Sequence, residues 1–262
     1  MKKGLILLLF LVFVPAAHSE VVMKTVDYTY NGATYEGRVA YDDALAGPRP
    51  GILVIHQWKG LGPYEEMRIQ KLAELGYVAF ALDMYGKGNR GTDAQSASAL
   101  ARPLYADRGE MRARAAAGLD QLRQQPNVDP AKLAVIGYCF GGTCALELAR
   151  SGANVAGTVS FHGGLATPDP DDAKNIKGQI LVCHGADDPN VTWEQVEDFR
   201  KEMQGAGVHW EFVAYGGAVH AFTDPSAGND PSRGAAYNET ADRRSWVEMK
   251  MFFGEIFGSK NN

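Results

Sequence analysis

No apolar run in this chain approaches the ~20 residues that a membrane-spanning helix needs. The longest, residues 5–14, stops at Pro15. There is no excess of positive charge either: 26 Lys plus Arg stand against 31 Asp plus Glu, a net charge of −5. That balance argues against nucleic acid or an anionic membrane as a main partner. Cysteine is scarce, with only Cys139, Cys144 and Cys183, and no Cys-x-x-Cys pair or zinc-like spacing occurs. A disulfide-stapled scaffold is therefore excluded, and at least one thiol stays unpaired. Internal repeats and low-complexity tracts are also missing. At 45% hydrophobic and 22% charged residues, the composition rules out disorder, collagen and coiled coil.

The N-terminus differs from the rest. Lys2 and Lys3 precede apolar residues 5–14, and Pro15-Ala16-Ala17-His18-Ser19 follows. This is the pattern of a secretory signal peptide with an Ala-x-Ser cleavage site. The expectation is a signal peptide over residues 1–19 and a single α/β domain over 20–262, periplasmic or secreted, with no stable membrane insertion after cleavage. An uncleaved N-terminal anchor is the alternative.

Two strand-like stretches, 21–30 and 34–41, flank Asn31-Gly32, a hairpin signal. Short runs at 52–55, 77–82, 133–136, 155–161, 180–183 and 210–214 are apolar on both faces, as in strands buried within a parallel sheet. Helical stretches at 64–75, 109–125, 141–150, 192–203 and 235–257 lie between or after them. An antiparallel hairpin feeding βα units predicts a mostly parallel central sheet with helices on both faces. In such sheets the reactive loops sit at the carboxyl ends of the strands.

At the end of the 133–136 strand stands Gly137-Tyr138-Cys139-Phe140-Gly141-Gly142, followed by a small-residue helix. This is the G-x-S-x-G nucleophile elbow with Cys in the Ser position. The glycines let strand and helix approach, and Cys139 projects at a helix N-terminus, where the dipole favours a thiolate. Cys144 and Cys183 fall inside a helix and a buried strand and are expected to be inert core residues.

A thiol nucleophile needs a base and a carboxylate that orients it. Downstream strands end in Asp187-Asp188 and in Gly217-Ala218-Val219-His220, giving the order nucleophile, acid, histidine. Asp188 fits the G-x-x-D-x-x-V spacing, whereas Asp187 fits turn contacts. His56, His162 and His184 also close strands. None belongs to a metal-binding motif, so no metal is expected. His209 begins a strand and is incidental. Two aimed N–H donors are needed for an oxyanion. The elbow supplies that of Phe140, and the loop after residue 55 supplies that of Trp58.

Gly-Tyr-Cys-Phe-Gly-Gly at 137–142, Asp188 in its loop, Gly-Ala-Val-His-Ala-Phe at 217–222 and Leu-Asp-Met-Tyr-Gly at 82–86 resemble the dienelactone hydrolase family of α/β-hydrolases. The resemblance covers about residues 24–257. It implies an α/β-hydrolase fold, a Cys139-His220-Asp188 triad, backbone donors matching Trp58 and Phe140, and no cofactor. It also implies a small ester or lactone as the partner; monomer and oligomer both stay open. The family's founding enzymes carry Glu where this chain has Gln57, and Arg where it has Asp224; a second family Arg corresponds to Lys87. With only Lys87 and Arg90 left to attract an anion, neutral substrates are expected to outrun carboxylate-bearing ones. Gln57, Tyr85, Lys87 and Phe222 are placed in the substrate pocket, with Trp58 and Phe140 adding apolar wall. The alternatives are a cysteine-dependent peptidase or acyltransferase on the same fold, and a non-catalytic thiol or ligand-binding protein.

Overall fold

The computed structural model describes residues 20–258, so the expected signal peptide lies outside the described residues. Strands β1 (Val21–Tyr30) and β2 (Ala33–Asp42) pair antiparallel across Asn31-Gly32, both at positive φ as a tight hairpin turn requires. Then come β3 (Arg49–Ile55), β4 (Val78–Leu82), β5 (Val128–Tyr138), β6 (Gly157–Phe161), β7 (Gln179–Gly185) and β8 (Trp210–Tyr215). The eight-stranded sheet has the order β1-β2-β4-β3-β5-β6-β7-β8. Strands β3 to β8 run parallel, and β2 joins β4 antiparallel.

Strand alternation explains why both faces are apolar. Ile52 and Val54 pack with Ile69 and Leu72 of α1 (Pro63–Glu74) and Met249 and Phe252 of α6 (Glu239–Phe257). Their neighbours Leu53 and Ile55 point the other way, to Met111 and Ala115 of α3 (Arg108–Arg123) and to Ala145 and Leu148 of α4 (Phe140–Arg150). On that second face Ile180 and Val182 meet Phe199 and Met203 of α5 (Trp193–Ala206). The sheet is thus covered on both sides, as the apolar strands required.

One helix was not expected. α2 (Ala94–Ala106) carries Pro103 inside it and a run of small residues, which blunts helical periodicity. Asp93 accepts the Ser96 N–H at its start, a capping signal that the sequence did contain. Asp107 then ends α2 and caps α3.

Candidate active site

The elbow joins β5 to α4. Cys139 sits at φ 55°, ψ −117°, a strained conformation for a residue with a side chain. Its flanking glycines are required by contact rather than by convention. A Cβ at Gly137 would lie 1.9 Å from the Gly141 carbonyl oxygen, and one at Gly141 would lie 2.1 Å from that of Ile55. Cys139 is thereby held at the N-terminus of α4, at the carboxyl edge of the sheet.

Loops from β7 and β8 converge on it. His220 Nε2 lies 3.0 Å from Cys139 Sγ, and Nδ1 lies 2.8 Å from Asp188 Oδ2. The buried Asp188 carboxylate also accepts the Asn190 N–H at 2.8 Å. Asp187 instead accepts the Gly217 N–H at 3.1 Å, the turn contact expected of it. A short parallel bridge between His220 and Ala235 anchors the histidine loop, a contact that no local signal in the sequence foretold. Burial disfavours a charged His220 ring, but the adjacent Cys139 sulfur and the Asp188 carboxylate outweigh it and push the ring up to about 10.

The 57–62 loop is held from beneath. Glu65, buried at the start of α1, accepts the Gln57 N–H at 3.1 Å and the Gly62 N–H at 2.9 Å. Burial pushes its carboxyl up to about 7. The Tyr85 hydroxyl donates to the Trp58 carbonyl at 3.0 Å. Among the described residues, neither the Trp58 nor the Phe140 backbone N–H has a protein acceptor, so both remain available to a ligand. Glu65 escaped sequence reasoning, although an acid three residues after Gly62, in the first turn of α1, is the acidic half of a capping-box signal.

Of the side chains expected in the pocket, Gln57 and Trp58 line a cleft of about 1240 Å³ that contains Cys139 and His220. Gln57 is turned toward Asp224, donating to its Oδ2 at 2.8 Å, and leaves the thiol to His220. The other placements need correction. Lys87 reaches instead to Asp27 and Glu36 on the hairpin, and takes no part in the cleft. Phe222 is fully buried against Tyr215 and His162. Tyr85 and the Phe140 ring lie behind the wall, packed on each other and on His56.

The expected preference for neutral substrates loses its basis for the same reason. Arg90 is spent on the Leu61 carbonyl and Asp83, whereas Arg102, Arg108 and Arg233 line the cleft. These three arginines come from α2, the start of α3 and the 231–233 turn, none of which the sequence placed near Cys139.

The remaining strand-end histidines are each engaged separately. His56 pairs with the Met84 N–H and the Gln57 carbonyl, and His184 packs on Trp193 and Phe212. Burial pushes Cys144 well up and Cys183 up to about 12, so neither core thiol is ionised near neutral pH.

Residues 36–257 match the dienelactone hydrolase family. A solved structure of a dienelactone hydrolase-like promiscuous phosphotriesterase from metagenomic libraries shares 43% identity, with a TM-score of 0.86 over 90% of this chain and 98% of that one. Protein usf of Aquifex pyrophilus is 30% identical over 237 residues, 88% of this chain and 98% of that protein. A protein of Aquifex aeolicus named as a putative carboxymethylenebutenolidase is 29% identical over 216 residues, 80% of this chain and 92% of its own length. The cysteine elbow, the eight-stranded sheet and a match over most of the described residues lead to one conclusion: this chain is a hydrolase that belongs to the dienelactone hydrolase family.

Proposed function

We propose that the protein hydrolyses small carboxylic esters or lactones, with Cys139 as nucleophile, His220 as acid and base, and Asp188 as the group that orients His220. The observation that carries this reading is the single His220 ring bridging Cys139 Sγ at 3.0 Å and Asp188 Oδ2 at 2.8 Å. With the proton held on His220 Nε2, Cys139 Sγ attacks the acyl carbon to form a C–S bond. The carbonyl electrons move onto oxygen, where the Trp58 and Phe140 N–H groups receive the charge. Collapse breaks the C–O bond, and the leaving alkoxide takes the proton from Nε2. Water then passes a proton to Nε2 and adds to the thioester; the C–S bond breaks and Sγ is regenerated. In a lactone the leaving oxygen stays tethered to the acyl group.

The test is a panel of chromogenic short-chain esters and lactones, in matched neutral and carboxylate-bearing pairs, with a peptide and a phosphotriester as further arms. Arg102, Arg108 and Arg233 make no ion pair among the described residues, so the carboxylate-bearing members belong beside the neutral ones. A burst of product is expected, with a Cys139 acyl adduct in the intact mass, and both should vanish after thiol alkylation. Ester turnover that survives complete alkylation of Cys139, or faster cleavage of the peptide, would overturn the reading.

A pH dependence follows from His220. Its raised value means the imidazolium is present below about pH 10 and lost above it. That proton is the one the leaving oxygen needs. The kcat/KM profile should therefore hold through the usual histidine range near 6.5 and decline only toward about 10. A decline between pH 7 and 8 would contradict it.

A further inference from the structure

The mechanism above leaves one buried histidine beside the site without a task. His162 follows β6 and holds φ 41°, in the left-handed region that residues with side chains avoid. Its Nδ1 accepts the backbone N–H of Cys139 at 3.1 Å, a proton shared with the Phe161 carbonyl at 3.0 Å. Its Nε2 lies 2.8 Å from the Thr223 hydroxyl. Its ring stands edge to face against His220, with centroids 5.3 Å apart at 67°.

These contacts fix the state of the ring. An amide N–H can only donate, so Nδ1 carries no proton, and the one proton of the neutral ring sits on Nε2, aimed at Thr223 Oγ1. Burial agrees, pushing the ring well below the ordinary histidine range, and His220 and Arg68 push in the same direction. Thr223 is itself anchored. Its hydroxyl meets the Tyr64 hydroxyl at 2.6 Å, and its carbonyl accepts from Arg68 Nη2 at 2.8 Å. Arg68 in turn pairs with Asp242 at 2.6 Å.

Thr223 lies three residues after His220, on the same loop. One ring therefore ties the backbone of the candidate nucleophile to the segment that carries the candidate base. We propose that His162 is a positioning residue for the hydrolysis assigned to this site: its two nitrogens strap the elbow to the His220 loop and set the separation of Cys139 Sγ from His220 Nε2. The proposal rests on the functional reading above. It gives a buried, strained histidine a reason that packing alone does not, since an apolar ring would fill the space without either bond. A misplacement of about 1 Å between reacting groups can cost ~10²-fold in rate, so a strap of this kind acts on kcat more than on substrate binding.

The test compares variants that keep one bond, the other or neither. His162→Phe keeps a flat ring and loses both bonds. His162→Asn puts an amide oxygen near the Nδ1 position and restores the acceptor for the Cys139 N–H. His162→Gly accepts the positive φ without cost but offers no acceptor, so it separates a hydrogen-bond rescue from a backbone one. Two quantities are read in each folded protein: kcat and KM for the best ester of the panel, and the rate of Cys139 alkylation by iodoacetamide across pH. The second needs no turnover, so it tests the strap even if the unaltered protein cleaves none of the esters, a result that would instead sink the functional reading.

The Phe and Gly variants should lose about 10²-fold in kcat with KM within about threefold, and their alkylation at neutral pH should slow about tenfold. Asn should recover most of both. Of the ring's two bonds, Thr223→Val breaks only the one at Nε2, along with the Tyr64 hydroxyl contact; should the Phe and Gly variants fail to fold, it is expected to lower kcat and alkylation about three- to tenfold on its own. Unchanged kcat and alkylation in folded Phe or Thr223→Val protein would overturn the proposal, as would an Asn variant no better than Gly.

Discussion

Replacing Cys139 by Ala should reduce ester hydrolysis by about 10⁴-fold or more, and His220→Ala should cost nearly as much. The two groups touch at 3.0 Å and pass one proton between them, so neither acts alone. Their losses should therefore not add, and the double variant should be hardly worse than either single one. Asp188→Asn keeps the shape but offers His220 Nδ1 an amide in place of a carboxylate. The wrong tautomer is then favoured, and a loss of ~10²- to 10⁴-fold is expected. Asp187→Asn should alter only the turn at Gly217. If it proves the more damaging change, the acid has been assigned to the wrong residue. Cys144→Ser and Cys183→Ser should leave kinetics nearly intact. Steady-state rates and the intact mass of the acyl adduct check all of these.

Gly137→Ala should be nearly as damaging by a different route. The added methyl would lie 1.9 Å from the Gly141 carbonyl oxygen and 2.2 Å from its carbon, both backbone atoms of the helix that the elbow launches. No rotamer can relieve that overlap. Strand β5 and helix α4 would have to part, in a region where Tyr138 and Phe140 are fully buried. A destabilisation of about 3–5 kcal/mol is expected, enough to lower Tm by roughly 10 °C in a protein of this size. Any folded fraction should hold few titratable active sites, because the strained φ of Cys139 depends on that same approach. Gly216→Ala is the matched control: nothing lies within 4 Å of its added carbon, and its effect should stay within about 0.5 kcal/mol. Thermal unfolding with active-site titration separates the two, and equal melting temperatures would show that the elbow tolerates a side chain.

How much of this was legible in the chain depended on whether a signal was local. Apolar residues on both faces of 52–55 and 180–183 announced buried parallel strands, and each became one, because burial on two sides leaves no polar alternation to read. The elbow was legible because its spacing is local: Gly137 answers a contact with Gly141, four residues on, although Gly141 itself answers the distant Ile55 carbonyl. Asp188 could be separated from Asp187 by loop spacing, and the geometry keeps them apart in the same way. Pocket placement failed where tertiary closure decided it. Lys87 follows a strand end, yet two acids of the hairpin draw it out of the site. Phe222 adjoins His220 in sequence, but the left-handed Ala221 turns it into the core. The basic lining of the cleft was invisible because it comes partly from α2, whose small residues and internal proline hide its period. The contacts of His162 join segments 23 and 61 residues apart, and no short-range pattern encodes such partners.

All three cysteines are free, but only Cys139 reaches the cleft; the other two are sealed in the core. Sulfur chemistry on the native molecule is therefore the chemistry of a single atom. One equivalent of a thiol reagent should count working sites in any preparation, and unfolding should reveal the two that were hidden. A solution of this protein carries its own standard of intactness, and rates can be normalised to sites rather than to mass.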